Sequence, residues 1–467
     1  MVWSRVVTDP GPRIDVIDTR AVRLTRGARS RRQRELVGRL LRCYPVSFLV
    51  LAPYALLIFP MAVFHDNPQT GFIALLVGLA LLGSVSVETL GLLFGRPDPQ
   101  WRQGMRQATA RYPRIYPVAR LVTLTSMAAD LLGAYLGRGS IVAQISGELS
   151  DAPMVALTKL FSGWGALGFA LLVASHLGGR LSRGKLYGWL TALVTTQAVV
   201  TMLTALTAPL IGFVFFAVAA GVVCGVFRLR YLLLGTVALV LLWPAIFEYR
   251  NEIRQDQGIE VSDAVTAADR IRLDRQLTLV AGIDVPVDLD EPDLVDHLRY
   301  GLVPRIVDPD RPALSTGKQI NQFLGGGPTS ASNFLLLGNI WFFDGPVGVV
   351  LVHAFWAGFV ALLLRWRARP GPARLSLFCL VFSDVLLWSG TYPDSTIAFL
   401  QHVVSAMTVF FLLWLTRSIA PWSPRRPGRG VPPAGTHLPP GVHRAGGRPV
   451  ALRVGGRLVV HRKGDAW

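Results

Sequence analysis

Apolar residues run almost unbroken through ten stretches of the chain, roughly 44–64, 71–94, 118–137, 153–177, 186–205, 209–227, 231–247, 346–364, 375–390 and 397–416. Most reach the ~18–20 residues that a helix needs to cross the hydrocarbon core of a bilayer. The runs are continuous rather than alternating, which excludes an outer-membrane barrel. The pattern predicts an all-α, polytopic integral membrane protein with about ten transmembrane helices. Residues 328–343, "PTSASNFLLLGNIWFF", are apolar in their second half, and read as a half-helix against the bundle or an extension of the eighth span.

The polar segments divide the chain further. A basic segment, 1–43, precedes seven spans within 44–247. A long polar loop, 248–332, follows, then a half-helix and three spans within 333–416, then a tail, 417–467, rich in Pro, Gly and Arg. Within the loop, "VSDAVTAADRIRLDRQLTLV" and "EPDLVDHLRYGLV" read as short helices, the second opening with acidic residues and Pro292. The tail has a disordered composition and a charge suited to touching anionic lipid.

Charge sets an orientation. Of 47 Lys and Arg, 36 fall in segments 1–43, 95–120, 178–185, 228–230, 365–374 and 417–467, all on one side of the alternation. The positive-inside rule makes that side cytoplasmic and places both termini there, in the cytoplasmic membrane. The net charge of +18 is therefore an orientation signal rather than a nucleic-acid footprint. The loop 248–332, with nine basic and fifteen acidic residues, lies outside by this reading. The N-terminal segment lacks the apolar core of a cleavable signal. Cys43, Cys224 and Cys379 lie in or beside spans and suggest no disulfide framework.

Candidate chemistry concentrates in the outer loop. Arg250 and Arg254 in "EYRNEIR" share a helical face at i,i+4 spacing, and a guanidinium fork suits a phosphate or pyrophosphate. The plainer account is a solvated helix end. Arg272, Arg275 and Lys318 are further candidate substrate ligands, while Arg270 and Asp274 have the spacing of an i,i+4 ion pair. In "YGLVPRIVDPDRP", Pro304, Pro309 and Pro312 hold Arg305 and Arg311 on stiff, non-helical backbone beside Asp308 and Asp310. Fixed cations lose less entropy on meeting an anion; the alternative is a surface turn. No Asp-x-Asp pair or His cluster marks a metal site, and no cofactor is expected.

Glu88, Asp130, Lys159, His353, Asp384 and His402 fall inside apolar runs. Such groups usually face a bundle interior. Lys159 has the acids as pairing partners. Asp384 and His402, with Asp394 between them, are placed to line a cavity below the loop, although a lone intramembrane His is more often a packing residue.

The segment "VPRIVDPDRP" resembles one in the outer loop of the O-antigen polymerase (Wzy-type) family of oligosaccharide repeat-unit polymerases. The following "GGGPTSASNFLLLGNIWFFDGPVGVVLVHAFWAGF", 325–359, is similar to the family's next segment at Pro328, Thr329, Gly338, Trp341, Gly345 and Gly348. Asn339 stands where many relatives carry Glu. The resemblance implies a membrane glycosyltransferase that moves glycan from an undecaprenyl pyrophosphate-linked oligosaccharide to another glycan, in cell-surface or exopolysaccharide biosynthesis. A flippase and a chain-length regulator are the implied protein partners. It implies that Arg305 and Arg311 hold the pyrophosphate, with Arg250 carried over by position alone. The acceptor hydroxyl then needs a base, for which Asp308, Asp310 and Asp344 are the candidates. Two rival readings are a polyprenyl-phosphate-dependent single-sugar transferase and a non-enzymatic polysaccharide or lipid transporter. A first outer loop of only "HDNPQT" argues against the former, and a single candidate half-helix against the latter.

Overall fold

The computed structural model describes residues 36–95, 101–138, 153–256, 266–289, 294–303, 316–326, 332–365, 371–419, 451–454 and 457–460. The chain divides into two units, Met1–Ala420 and Pro421–Trp467. In the second, β1 (Ala451–Val454) pairs antiparallel with β2 (Arg457–Val460), Ala451 opposite Val460. The rest of the tail lies outside the described residues.

The first unit is a helical membrane bundle. In hydrocarbon every backbone N–H and C=O needs an internal partner, so long apolar runs become helices. In chain order these are α1 (Pro45–Phe64), α2 (Thr70–Phe94), the amphipathic α3 (Trp101–Ala110), α4 (Ile115–Tyr135), α5 (Pro153–Leu160), α6 (Trp164–Leu177), α7 (Arg183–Thr204), α8 (Ala208–Val223) and α9 (Leu229–Asp256). Then come α10 (Ala267–Ile271), α11 (Leu273–Thr278), α12 (Leu294–Leu302), α13 (Thr316–Phe323), α14 (Leu335–Arg365), α15 (Pro372–Leu380) and α16 (Asp394–Ile419). Among the described residues, eight helical segments are long and apolar enough to cross a bilayer, with α5 and α6 sharing one of them. The shorter α8, and α15 with its π-helical extension Val381–Val385, fill the remaining two places in the alternation. The protein is a multi-pass, all-α membrane protein with about ten spans.

Local chemistry explains the departures from straight helix. Pro53 removes a backbone donor, and α1 continues through a π-turn, Tyr54–Ile58. Gly345, at φ 64°, breaks α14 just before Pro346. The stretch expected as a half-helix or an extension is therefore both: a helix from Leu335 that joins the eighth span across a break. α6 lies at the centre, with Ala166 to Ala174 buried all round. Gly83 of α2 lets that helix meet the backbone of α14 at Val350 and Ala354, since a Cβ there would strike Val350 O. Buried Glu88 accepts from Val46 N at 2.8 Å and from the Ser47 hydroxyl at 2.5 Å, capping the first turn of α1.

α10 to α13 form the long loop, and the two expected loop helices are present as α10–α11 and α12. They sit at one end of the bundle, here called the loop end. The contacts fix this: Asn67, between α1 and α2, donates to Asp274 at 2.8 Å, and Gln401 of α16 donates to Tyr300 O at 2.8 Å. Alternation then brings the C-terminal ends of α1, α4, α7, α9 and α15 to the loop end. The N-terminal ends of α2, α5, α8, α14 and α16 join them.

Candidate functional site

The described loop is braced by polar side chains. Arg272 separates α10 from α11 with a non-helical ψ of 64°. The side chain of Arg270, expected to pair with Asp274, lies outside the described residues. Asp274 accepts from Arg272 Nε and Nη2, each at 2.9 Å, and from Asn67. Burial pushes its carboxyl up, but the hydrogen bonds from Arg272 and Asn67 prevail and hold it below the usual carboxylate range. Arg272, expected to contact substrate, holds the carboxylate of Asp274, which through Asn67 links two loops. Arg275 is exposed on α11, and Lys318 is half-buried on α13.

A second brace replaces an expected acid. Asn339 is fully buried. Its Oδ1 accepts from Phe334 N at 3.2 Å, and its Nδ2 donates to Asn333 Oδ1 at 2.7 Å and Gly390 O at 3.2 Å. Asn333 in turn donates to Ser389 O and accepts from Leu335 N. Gln276 donates to Asn333 O. The position needs a group that both donates and accepts, which an amide provides and a carboxylate does not. Asp344 is half-buried at the break before Gly345. Arg305, Asp308, Asp310 and Arg311 lie outside the described residues.

Below the loop, a cavity of about 180 Å³ opens among the helix ends. Its polar lining is Asp130, Ser162, Gln197, Ser383 and Asp384, and its apolar wall includes Phe213, Phe216 and Leu387. Each of the five polar residues comes from a helix or turn within about two helical turns of the loop end. Asp130 pairs with Arg138 at 2.7 Å, accepts from Gln197 at 3.1 Å, and so takes Arg138 rather than Lys159 as its cation. Arg138 also donates to Thr158 O at 2.7 Å.

Opposite this pair lies a hydrogen-bonded row. Asp384 Oδ2 is 2.9 Å from His402 Nδ1, and His402 Nε2 is 2.9 Å from Ser162 Oγ. Ser383 donates to Asp384 Oδ1 at 3.0 Å. Ser162 stands in the turn that separates α5 from α6, where its hydroxyl also reaches Lys159 O at 2.8 Å. Gly163 is required beside it, because a Cβ there would collide with the His402 ring. The sequence pointed to Asp130, Asp384 and His402. It missed Ser162 and Gln197, although "FSGWG", a Ser-Gly pair interrupting an apolar run, is a legible sign of a helix break.

The arginine pair expected at the loop's start stands near the cavity. Arg250 and Arg254 sit one turn apart on α9, both half-buried. Arg250 lies 4.6 Å over the Phe247 ring and donates to Asn251 at 3.1 Å. Arg254 donates to Ala205 O at 3.3 Å, three residues before Ala208, which with Pro209 and Gly212 lines the cavity. Among the described residues, no group of three or more His, Cys, Asp or Glu is arranged to hold a metal ion.

The fold and this geometry define a class: a multi-pass helical membrane protein with a polar cavity under a braced loop at one end. No family model, curated protein or solved structure matches the chain.

Proposed function

We propose that the chain is a membrane glycosyltransferase of the polymerase or ligase type, similar in logic to the O-antigen polymerases. It takes glycan from a polyprenyl pyrophosphate carrier at the outer face of the cytoplasmic membrane and joins it to a hydroxyl of a second glycan. The observation that carries the reading is a half-buried arginine pair, Arg250 and Arg254, at the head of the loop, with Arg254 bonded to Ala205 O in the turn that leads into the cavity-lining start of α8. Arginines at the lipid–water boundary match pyrophosphate oxygens two at a time. Charge that develops on the leaving pyrophosphate is stabilised best by donors already fixed in place. Arg250 and Arg254 supply such donors, joined by Arg305 and Arg311 on their proline-rich segment. Asp308 and Asp310 are acids of the same loop, and the half-buried Asp344 follows at the break in α14. Transfer inverts the configuration at the anomeric carbon, because one attack displaces one leaving group.

The purified chain, given a fluorescent lipid-linked repeat unit, is expected to produce longer lipid-linked glycan and to release polyprenyl pyrophosphate. Arg305→Ala is expected to slow this by about a hundredfold, the usual cost of one lost preorganised donor. Movement of intact lipid-linked glycan across vesicles with no new glycosidic bond would instead favour the transporter.

A further inference from the structure

The outer-loop aspartates are the bases expected from sequence, yet His402, which stands directly behind the cavity-lining residues Ser162, Gly163 and Asp384 rather than in the lining itself, is better built for the task. We infer that His402, oriented by Asp384, is the general base that deprotonates the acceptor sugar's hydroxyl inside the cavity. This rests on the glycosyltransferase reading and adds to it the acceptor subsite and its catalytic residue.

Asp384 faces Nδ1 at 2.9 Å, so the neutral ring carries its proton there and leaves the Nε2 lone pair toward Ser162. Ser162 has one hydroxyl proton and two acceptors within reach, Nε2 at 2.9 Å and Lys159 O at 2.8 Å. When the proton turns to Lys159 O, Nε2 is open to a substrate hydroxyl, and Ser162 Oγ marks where that hydroxyl fits. The row is held from two helices, the extension of α15 and α16, and one turn. Trp164 Nε1 donates to Ser405 Oγ at 2.7 Å, and Ser405 donates to Leu160 O at 2.7 Å, clamping α16 against the turn that carries Ser162. The His402 ring lies against Gly163, with no side chain between it and the backbone. Asp130, the other charged residue of the cavity lining, is paired with Arg138 at 2.7 Å. The chamber is small and partly aromatic, suited to one terminal sugar ring of the acceptor.

The step balances. The acceptor O–H gives its proton to His402 Nε2, and its oxygen forms the new bond to the donor's anomeric carbon. The bond from that carbon to the pyrophosphate oxygen breaks with both electrons on the pyrophosphate, which then takes the proton from His402. Asp384 touches no substrate and is a positioning residue: it fixes the tautomer and steadies the imidazolium.

Extension of a fluorescent lipid-linked glycan by the purified full-length chain tests this. His402→Gln keeps a donor toward Asp384 but removes the base, and is expected to lower kcat by about a hundredfold or more. Asp384→Asn, assayed at matched amounts of folded, monodisperse protein, is expected to lower kcat and to shift the acid limb of the pH–rate profile to lower pH, a shift that a loss of folded protein would not give. Ser162→Ala is expected to stay within about tenfold of wild type, as a base acting directly on the acceptor requires. His402→Gln with near wild-type turnover, in a chain that extends glycan normally, overturns the inference alone. So does a Ser162→Ala chain as inactive as His402→Gln whose wild type is labelled covalently at Ser162 by a fluorophosphonate, since serine is then the nucleophile. A wild-type chain that forms no glycosidic bond overturns the glycosyltransferase reading and this inference together.

Discussion

Arg272 grips both oxygens of the fully buried Asp274 carboxylate at 2.9 Å, and Asn67 from a loop about two hundred residues away completes the cage. Removing the cation leaves a buried charge held by the Asn67 amide and the Arg275 backbone N–H. Arg272→Ala is expected to destabilise the folded loop by about 3 kcal/mol. The folded-state pKa of Asp274 lies below its unfolded value, so its contribution is complete above the ordinary aspartate range, near pH 4. That contribution disappears as pH falls through the folded value. Thermal unfolding of the wild type in detergent should therefore weaken on acidification from about pH 5 to about pH 3 more than that of Asp274→Asn. Equal slopes would mean that the cage contributes nothing to the pH dependence.

Asn339 makes a second test of structure rather than chemistry. Asn339→Asp keeps the shape but loses both N–H donors, leaving Gly390 O and Asn333 Oδ1 facing a carboxylate. A buried acceptor stripped of its donor costs about 1–3 kcal/mol, and more where charge is added. A lower unfolding temperature, measured in detergent on purified protein, is expected. An unchanged temperature would return this position to the exchangeable residues and reopen it as a site for an acid.

These two residues also mark what the sequence made legible. Span positions followed directly from apolar run length, because hydrocarbon permits little besides helix. The second loop helix was visible in its acidic opening and Pro292, and the helix before the eighth span in the apolar second half of 328–343. The cavity was half visible: Asp130, Asp384 and His402 were conspicuous as ionisable residues in apolar runs. Ser162 and Gln197 were hidden, since Ser and Gln are unremarkable in a span until the fold brings them to a charged partner. The pairing of Arg272 with Asp274 was not read from the sequence, because spacing arguments assume a continuous helix and Arg272 interrupts it. Asn339 read as a missing acid, and its partners, Phe334, Asn333 and Gly390, span too much chain for spacing to reveal.

Orientation in the membrane is a separate question that charge answers on its own. Since 36 of 47 basic residues fall in segments that the alternation of spans assigns to the side opposite the loop, that side is expected to be cytoplasmic. Arg275 and Gln103 are both exposed and belong to opposite ends of the bundle. In a chain lacking Cys43, Cys224 and Cys379, Arg275→Cys should react with an impermeant thiol reagent in intact cells, and Gln103→Cys only after permeabilisation. The reverse pattern would invert the topology and put the loop, with the cavity beneath it, in the cytoplasm.

The last prediction separates geometry from charge at the head of the loop. Arg254 reaches Ala205 O with one nitrogen from the last turn of α9, which ties its fork to the turn before α8. A lysine in its place would keep the positive charge but not the planar pair of donors, and an ammonium is also more strongly hydrated. If Arg254 orients a pyrophosphate, Arg254→Lys should lose nearly as much turnover as Arg254→Ala, with donor KM raised and protein abundance unchanged. If it only anchors a helix end at the interface, lysine should serve almost as well, because a long basic side chain reaches the headgroups in either case. Extension rates of the two variants, measured side by side on the same lipid-linked donor, decide between a ligand and an anchor: near-equal losses support the former, and a functional lysine variant removes Arg254 from the site.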